Sequence, residues 1–393
     1  MEVNANSHFT SDASEISFIR GGPFYRAQQA LGLIRPNRWN LGRRIALAIA
    51  IGWLPLFLIT ALLNPVGLVS LIKDYRVHSR LLIAVPVLLL GELLMEFRFR
   101  TVMTHIRRAG LLEAADLAYL DQVIATLVRA RDSFLPELAV LVLLIVHTAT
   151  SYKGLIDATP WLARGAGADL HLTAAGRYAV LVSAPLFQFL LGLALWKWLL
   201  WTIFVFNLSR RNLKLVATHP DGSGGLGFLG STAGVFAPIA LAAAAVIGAT
   251  WRYEILQTGV GLNRFYLSAI VLIATIALIA LGPLAFFIPR LAALRRKGIL
   301  EYGITGQMLS AEFDEKWIHH SEGTEAEFLP SHDSSTLADF GASYDRIRQL
   351  RPFPTDKGAL LTLAIAVALP ALPVILTKIP LVVILKDLLK ALR

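Results

Sequence analysis

Seven stretches of the chain stay apolar where a soluble fold would alternate with polar positions. They run Ile45 to Leu63, Leu81 to Glu96, Leu135 to Thr150, Tyr178 to Phe206, Ser231 to Thr250, Phe265 to Pro289 and Ala359 to Thr377. A hydrocarbon layer about 30 Å thick needs roughly 20 apolar residues in an α-helix to cross it. The second and third runs are short for that length, so about seven spans are expected, with six or five as the smaller counts. Lipid offers the backbone no hydrogen-bond partners, so each span must be helical. The expected fold is all-α, a polytopic transmembrane helical bundle. It divides into an amino-terminal segment, 1–44; a membrane domain of about six spans, 45–289; a cytoplasmic loop, 290–358; and the last span with an amphipathic tail, 359–393.

Between the spans the pattern changes to the helical period of an amphipathic surface. Behind Pro23, the residues Phe24, Ala27, Leu31 and Ile34 fit a short interfacial helix, whereas Met1 to Ser14 are polar and unpatterned. In 111–131, Leu117, Leu120, Ile124, Leu127 and Val128 repeat at helical spacing, with Glu113 and Asp116 early and Arg129 and Arg131 late, as a helix dipole favours. That predicts an amphipathic helix lying on the bilayer or against the bundle. Within the large loop, Leu337, Phe340, Tyr344 and Ile347 share one helical face before Arg351-Pro352-Phe353-Pro354 ends it. The tail, Lys378 to Arg393, mixes Leu381, Ile384 and Leu388 with Lys386, Lys390 and Arg393 and reads as a further interfacial helix.

Composition sharpens the membrane assignment. The chain is 55% hydrophobic and 16% charged, against roughly 25% charged in a soluble domain. Its net charge of +10 sits mainly beside the apolar runs and is not interleaved with aromatics, which points to anionic lipid headgroups and away from nucleic acid. The absence of cysteine removes disulfide frameworks and thiolate metal sites. No secretory signal is expected, because the first apolar run begins only near Ile45. Lys and Arg counts in the segments flanking the runs are 6, 3, 6, 3, 3, 2, 9 and 4 in order. The larger of each neighbouring pair, or a tie, falls on the amino-terminal side, which places that terminus in the cytoplasm.

The densest candidate chemistry lies in Thr218 to Gly230, a glycine-rich turn between the fourth and fifth runs. Gly222, Gly224, Gly225 and Gly227 free the backbone for an amide-lined anion site at a helix start, with Arg210 and Arg211 upstream and His219 and Asp221 as a polar pair. The structural alternative is a tight turn in which Asp221 caps the next helix and the glycines let two spans approach. Gly222, Gly224 and Gly227 match the dinucleotide fingerprint without the strand that must precede it. The turn also lacks the Lys-Ser/Thr ending of a P-loop. Within the spans, Glu92 and Glu96 lie one helical turn apart, and Lys197 falls at a similar depth, within reach of Glu92. Glu96 and Lys197 read as side chains reaching out to the interface. Glu92, the deepest, is a candidate for ion or substrate coupling or for a structural ion pair. His319, His320, Glu322, His332 and Asp333 have no metal-ligand spacing and read as a solvated loop, so neither a metal nor a cofactor is expected.

The segments THPDGSGGLGFL, Ser335-Thr336-Leu337-Ala338-Asp339-Phe340 with Ser343-Tyr344, and Arg351-Pro352-Phe353-Pro354 resemble an uncharacterised family of bacterial, mostly proteobacterial, inner-membrane proteins, over most of the chain from about Arg35. The resemblance implies a bacterial inner-membrane location and carries over no catalytic residue. The expected function is a membrane-embedded binding or transport protein with an anion or headgroup site at the His219 turn. The alternatives are a noncatalytic scaffold that docks a protein partner through its cytoplasmic helices and, third, an enzyme acting on a phosphorylated lipid through His219 and Asp221.

Overall fold

The computed structural model describes residues 17–35, 39–155, 159–165, 171–319 and 332–377, with side chains of 151–155 left undescribed. The polar start, the tail helix expected over 378–393, and His320 and Glu322 lie outside these residues.

From the amino end, α1 (Pro23–Ala30) precedes α2 (Leu41–Gly52) and α3 (Leu54–Leu63). The last two form one span that breaks at Trp53, where Pro55 has no N–H to continue the ladder. After α4 (Pro65–Ile72), the short α5 (Tyr75–His78) passes through a π-helical turn, Ser79–Ala84, into α6 (Val85–Arg108). Next come α7 (Ala114–Asp132) and α8 (Leu135–Leu155), bent by 46° at their junction. A two-strand ribbon, β1 (Ala163–Arg164) with β2 (His171–Leu172), pairs antiparallel with Ala163 opposite Leu172. It leads into α9 (Ala174–Tyr178), a second π-helical turn, Ala179–Ser183, and α10 (Ala184–Ser209). The remaining elements are the single turn α11 (Gly227–Gly230), α12 (Ala237–Thr258), α13 (Tyr266–Ala285), α14 (Ile288–Phe313), α15 (His332–Arg348) and α16 (Lys357–Ile375).

Five segments are long and apolar enough to cross a membrane: Leu41–Leu63, Ala174–Ser209, Gly227–Thr258, Leu262–Ala285 and Lys357–Ile375. The bent pair of α7 and α8 makes a sixth if the two count as one span. The second expected span is not among them, for a physical reason. The helix there is continuous from 75 to 108 and carries charges that lower its mean apolarity, yet it runs the length of the bundle, with one face buried against protein and the other exposed at Leu82, Leu90, Leu94 and Phe97. Near one end Ser79 Oγ donates to the Ala245 carbonyl, and near the other the His105 ring lies 4.3 Å from that of Phe228. Its neighbours are α2, which runs antiparallel, α12, also antiparallel, and α10, which runs parallel to it. Other helices contribute to the lipid-facing surface as well, with Leu141, Ile145, Leu267, Ile270 and Leu278 all exposed.

A third π-helical turn, Asp314–His319, follows α14, whereas those at 79–84 and 179–183 each lie just before a proline, Pro86 and Pro185. Proline removes one i→i−4 bond and its ring crowds the preceding turn, so the helix widens there. The amphipathic helix expected over 111–131 packs on the bundle, with Leu120, Ile124 and Leu127 buried and Tyr119 hydrogen-bonded to Asn207. The face of Leu337, Phe340, Tyr344 and Ile347 is likewise used within the chain. Phe340 stacks on Tyr302 and Ile347 packs at Gly298, so α15 folds back along α14.

A close contact in the bundle joins α12 and its lead-in to α16 and the segment before it. A Cβ at Gly230 would stand 2.7 Å from the Pro354 carbonyl oxygen and 2.8 Å from the Asp356 amide, and one at Gly248 would stand 3.1 Å from the Pro370 carbonyl oxygen. Gly230→Ala therefore forces two backbones apart. We expect a loss of about 1–3 kcal/mol, read as a lower Tm in detergent. Gly282→Ala, where nothing lies within 4 Å, should leave Tm unchanged or raised.

Candidate functional site

The glycine-rich turn folds around a carboxylate of its own. Gly222, Gly224 and Gly225 take φ of 63°, 65° and 96°, values that side-chain-bearing residues rarely adopt. This path wraps the backbone about Asp221. Asp221 Oδ1 accepts from the Ser223 and Gly225 amides at 2.8 and 3.1 Å, and Oδ2 accepts from the Gly227 amide at 2.7 Å. His219 Nδ1 stands 2.9 Å from Oδ1. Burial alone would raise the Asp221 pKa, but the three amides and His219 outweigh it and hold the carboxyl below its ordinary value. Of the glycine amides that the sequence offers to an external anion, those of Gly225 and Gly227 thus donate to Asp221 and that of Gly222 donates to the His219 carbonyl.

The turn is clamped from the far end of the loop. The Arg351 amide donates to the Gly222 carbonyl at 2.9 Å, and Arg351 Nη2 donates to the Asp221 carbonyl at 3.0 Å. Gly224 meets Leu294 and Leu291 of α14, while Ser223, Leu226 and Leu229 are buried. Arg210 and Arg211 are engaged elsewhere. Arg211 lies 3.9 Å over the Tyr119 ring, and Arg210 lies 5.1 Å over Phe206. His219 is the more exposed member of the expected polar pair, at 44% against 21% for Asp221.

A second constellation assembles around Glu92. Lys197 Nζ and Arg44 Nη2 both donate to its carboxylate, one from each side. Arg44 Nε also donates to Gln28 at 2.7 Å. One turn further along α6, Glu96 accepts from Ser17 Oγ, pairs with Arg20 at 3.0 Å and accepts from Arg100 at 2.7 Å. Glu92, Glu96, Lys197 and Arg44 are all buried. Glu96 and Lys197 therefore do not reach out to the interface. The reason is that 17–35 folds over this end of the bundle, with Phe18 and Ile19 buried and Glu137 accepting from the Phe24 amide, and brings Arg20 and Ser17 to Glu96. An adjoining cavity of about 20 Å³, lined by Phe24, Leu88, Glu92 and Lys197, has room for little more than a water molecule.

Sequence reasoning missed Arg44, Arg20, Ser17 and Arg351. Arg44 is adjacent to Arg43 in what reads as a basic flank, yet successive helical residues point about 100° apart, so one faces out and the other in. Arg351 had a signal, the Pro-Phe-Pro that follows it and fixes its backbone. The described histidines and carboxylates form no group of three or more able to hold a metal ion. Asp333 is held by Lys316 and Trp317 in the α14–α15 hairpin. No protein-family profile, curated protein or solved structure matches the chain.

Proposed function

We propose that this chain is a multi-pass binding or transport protein of a bacterial inner membrane, with its amino terminus in the cytoplasm and the Glu92 network as its coupling centre. The observation that supports this is the charge balance inside the bundle. Arg20, Arg44, Arg100 and Lys197 gather around two carboxylates, and Arg44 Nη1 is buried with no hydrogen-bond partner among the described residues. Charges cost free energy in a membrane interior, and such groups mark ion and substrate paths. The small cavity beside Glu92 and Lys197 fits a water or a monatomic ion, which suits coupling rather than recognition of a large substrate. The His219 turn then serves as the brace that holds α12 to α16 and the loop.

Lys197→Met tests this reading, because Glu92 keeps Arg44 as its partner and the fold is retained. We expect normal membrane levels and loss of complementation of a deletion phenotype; full complementation overturns the reading. A second reading, a scaffold, is favoured by the exposed stripe Leu300, Ile304 and Met308 along α14. It expects Lys197→Met to complement and Leu300→Ser with Ile304→Ser to fail.

A further inference from the structure

At the end of the bundle opposite the His219 turn, a cavity of about 200 Å³ opens between α3, the π-helical turns of 79–84 and 179–183, α8 and the Thr159–Leu162 loop. Arg80 and Leu81 of the first π-helical turn line it, as do Ala179, Val180 and Ser183 of the second. The two widened turns thus meet on one cavity, and widened turns of this kind recur at functional sites because they re-aim side chains. The volume exceeds the roughly 150 Å³ that accommodates benzene in an apolar core. Leu56, Val77, Leu81 and Val180 form an apolar wall, and Arg80, His147 and Gln188 form a polar one.

The charges in this cavity do not balance. Asp74 is already used: it receives Arg76 through Nε at 2.9 Å and Nη2 at 2.8 Å, and the Trp161 indole N–H at 3.0 Å. Arg80 has no ion-pair partner among the described residues, and its Nε is buried without a hydrogen bond. Gln188 Oε1 is likewise buried without a partner there. Turning the amide over presents its NH₂ instead, so Gln188 can serve either a donor or an acceptor on a ligand. A lone guanidinium beside an apolar wall matches a planar or tetrahedral oxyanion that carries a hydrocarbon chain.

We propose that this cavity binds a single-tailed amphiphilic oxyanion, its carboxylate or phosphate head on Arg80 and Gln188 and its tail along Leu56, Leu81 and Val180. The site stands apart from the coupling role given to the Glu92 network and is tested by binding alone.

The test is titration calorimetry on the full chain in a neutral detergent, with hexanoate, hexyl phosphate, hexanol and inorganic phosphate as probes. Hexanoate or hexyl phosphate should bind at least tenfold more tightly than hexanol and inorganic phosphate, and the tighter of the two identifies the head as a carboxylate or a phosphate monoester. Arg80→Gln should weaken that binding tenfold or more, and Arg80→Lys should weaken it less. Val180→Trp, which fills the cavity and leaves Arg80 in place, should abolish binding; it keeps the test open if Arg80→Gln fails to fold. Equal binding of hexanol, tighter binding of inorganic phosphate, or unchanged affinity in either Arg80→Gln or Val180→Trp overturns the proposal.

Discussion

Replacing Glu92 by alanine should destabilise this protein more than any other single change in the bundle interior, by about 3–5 kcal/mol. The carboxylate holds two buried cations, Arg44 and Lys197, and removing it leaves both charged groups in a protein interior without a counter-charge. Thermal unfolding in detergent measures the loss. The charge argument also sets the sign of the double variants. Glu92→Ala with Lys197→Met removes one of the two orphaned cations and should recover part of the stability. Glu92→Ala with Arg44→Met should recover part as well, although Gln28 then loses its partner. If neither second change recovers any stability, the cost of Glu92→Ala comes from lost packing and not from unpaired charge.

The second large effect is at Asp221. Its carboxylate satisfies three backbone amides in a turn whose apolar residues are buried. An amide left without a partner in such a place costs about 1–3 kcal/mol, and the three share one anchor, so their costs do not simply add. For Asp221→Ala we expect a loss of about 3 kcal/mol, measured as a fall in Tm at neutral pH. The same interaction predicts a pH dependence. The folded Asp221 pKa lies below the unfolded value, so its stabilisation is fully present above the unfolded carboxylate pKa of about 3.9 and is lost as pH falls through the folded value. The Tm difference between the parent and Asp221→Ala should hold constant from neutral pH down to about 5 and then shrink as acid approaches the carboxylate range. A difference that stays constant into that range would contradict this account.

Much of the helical architecture was legible because lipid imposes a simple rule: a long apolar run must be a helix. The rule fails where one face of a helix is covered by protein. Residues 75–108 form one continuous helix, yet the apolar run marks only its middle, since its ends carry Arg76 and Arg80 on one side and Arg98 and Arg100 on the other, all half-buried. The pairing of Glu92 with Lys197 was within reach of sequence reasoning because both lie at similar depth in neighbouring spans. The partners from 17–35 were not, because helical spacing in that segment does not say where on the bundle it folds back. At the glycine turn, the residue types were informative and their direction was not. Nothing in THPDGSGG says whether the amides turn toward a ligand or toward Asp221, because that depends on φ at three glycines. The cavity at Arg80 is the least legible feature of all. Its polar groups come from separate helices, and the widened turns that bring them together are announced only by Pro86 and Pro185.

The clamp between Arg351 and the glycine turn also bears on how the chain is made. The hydrogen bond from Arg351 to Asp221 joins residues 130 positions apart. At ribosomal speeds of about 5–20 residues per second, the turn waits on the order of ten seconds before its brace is synthesised. During that interval the fifth span is held by its apolarity and by its contacts with helix 75–108, and α16 closes the assembly when it arrives.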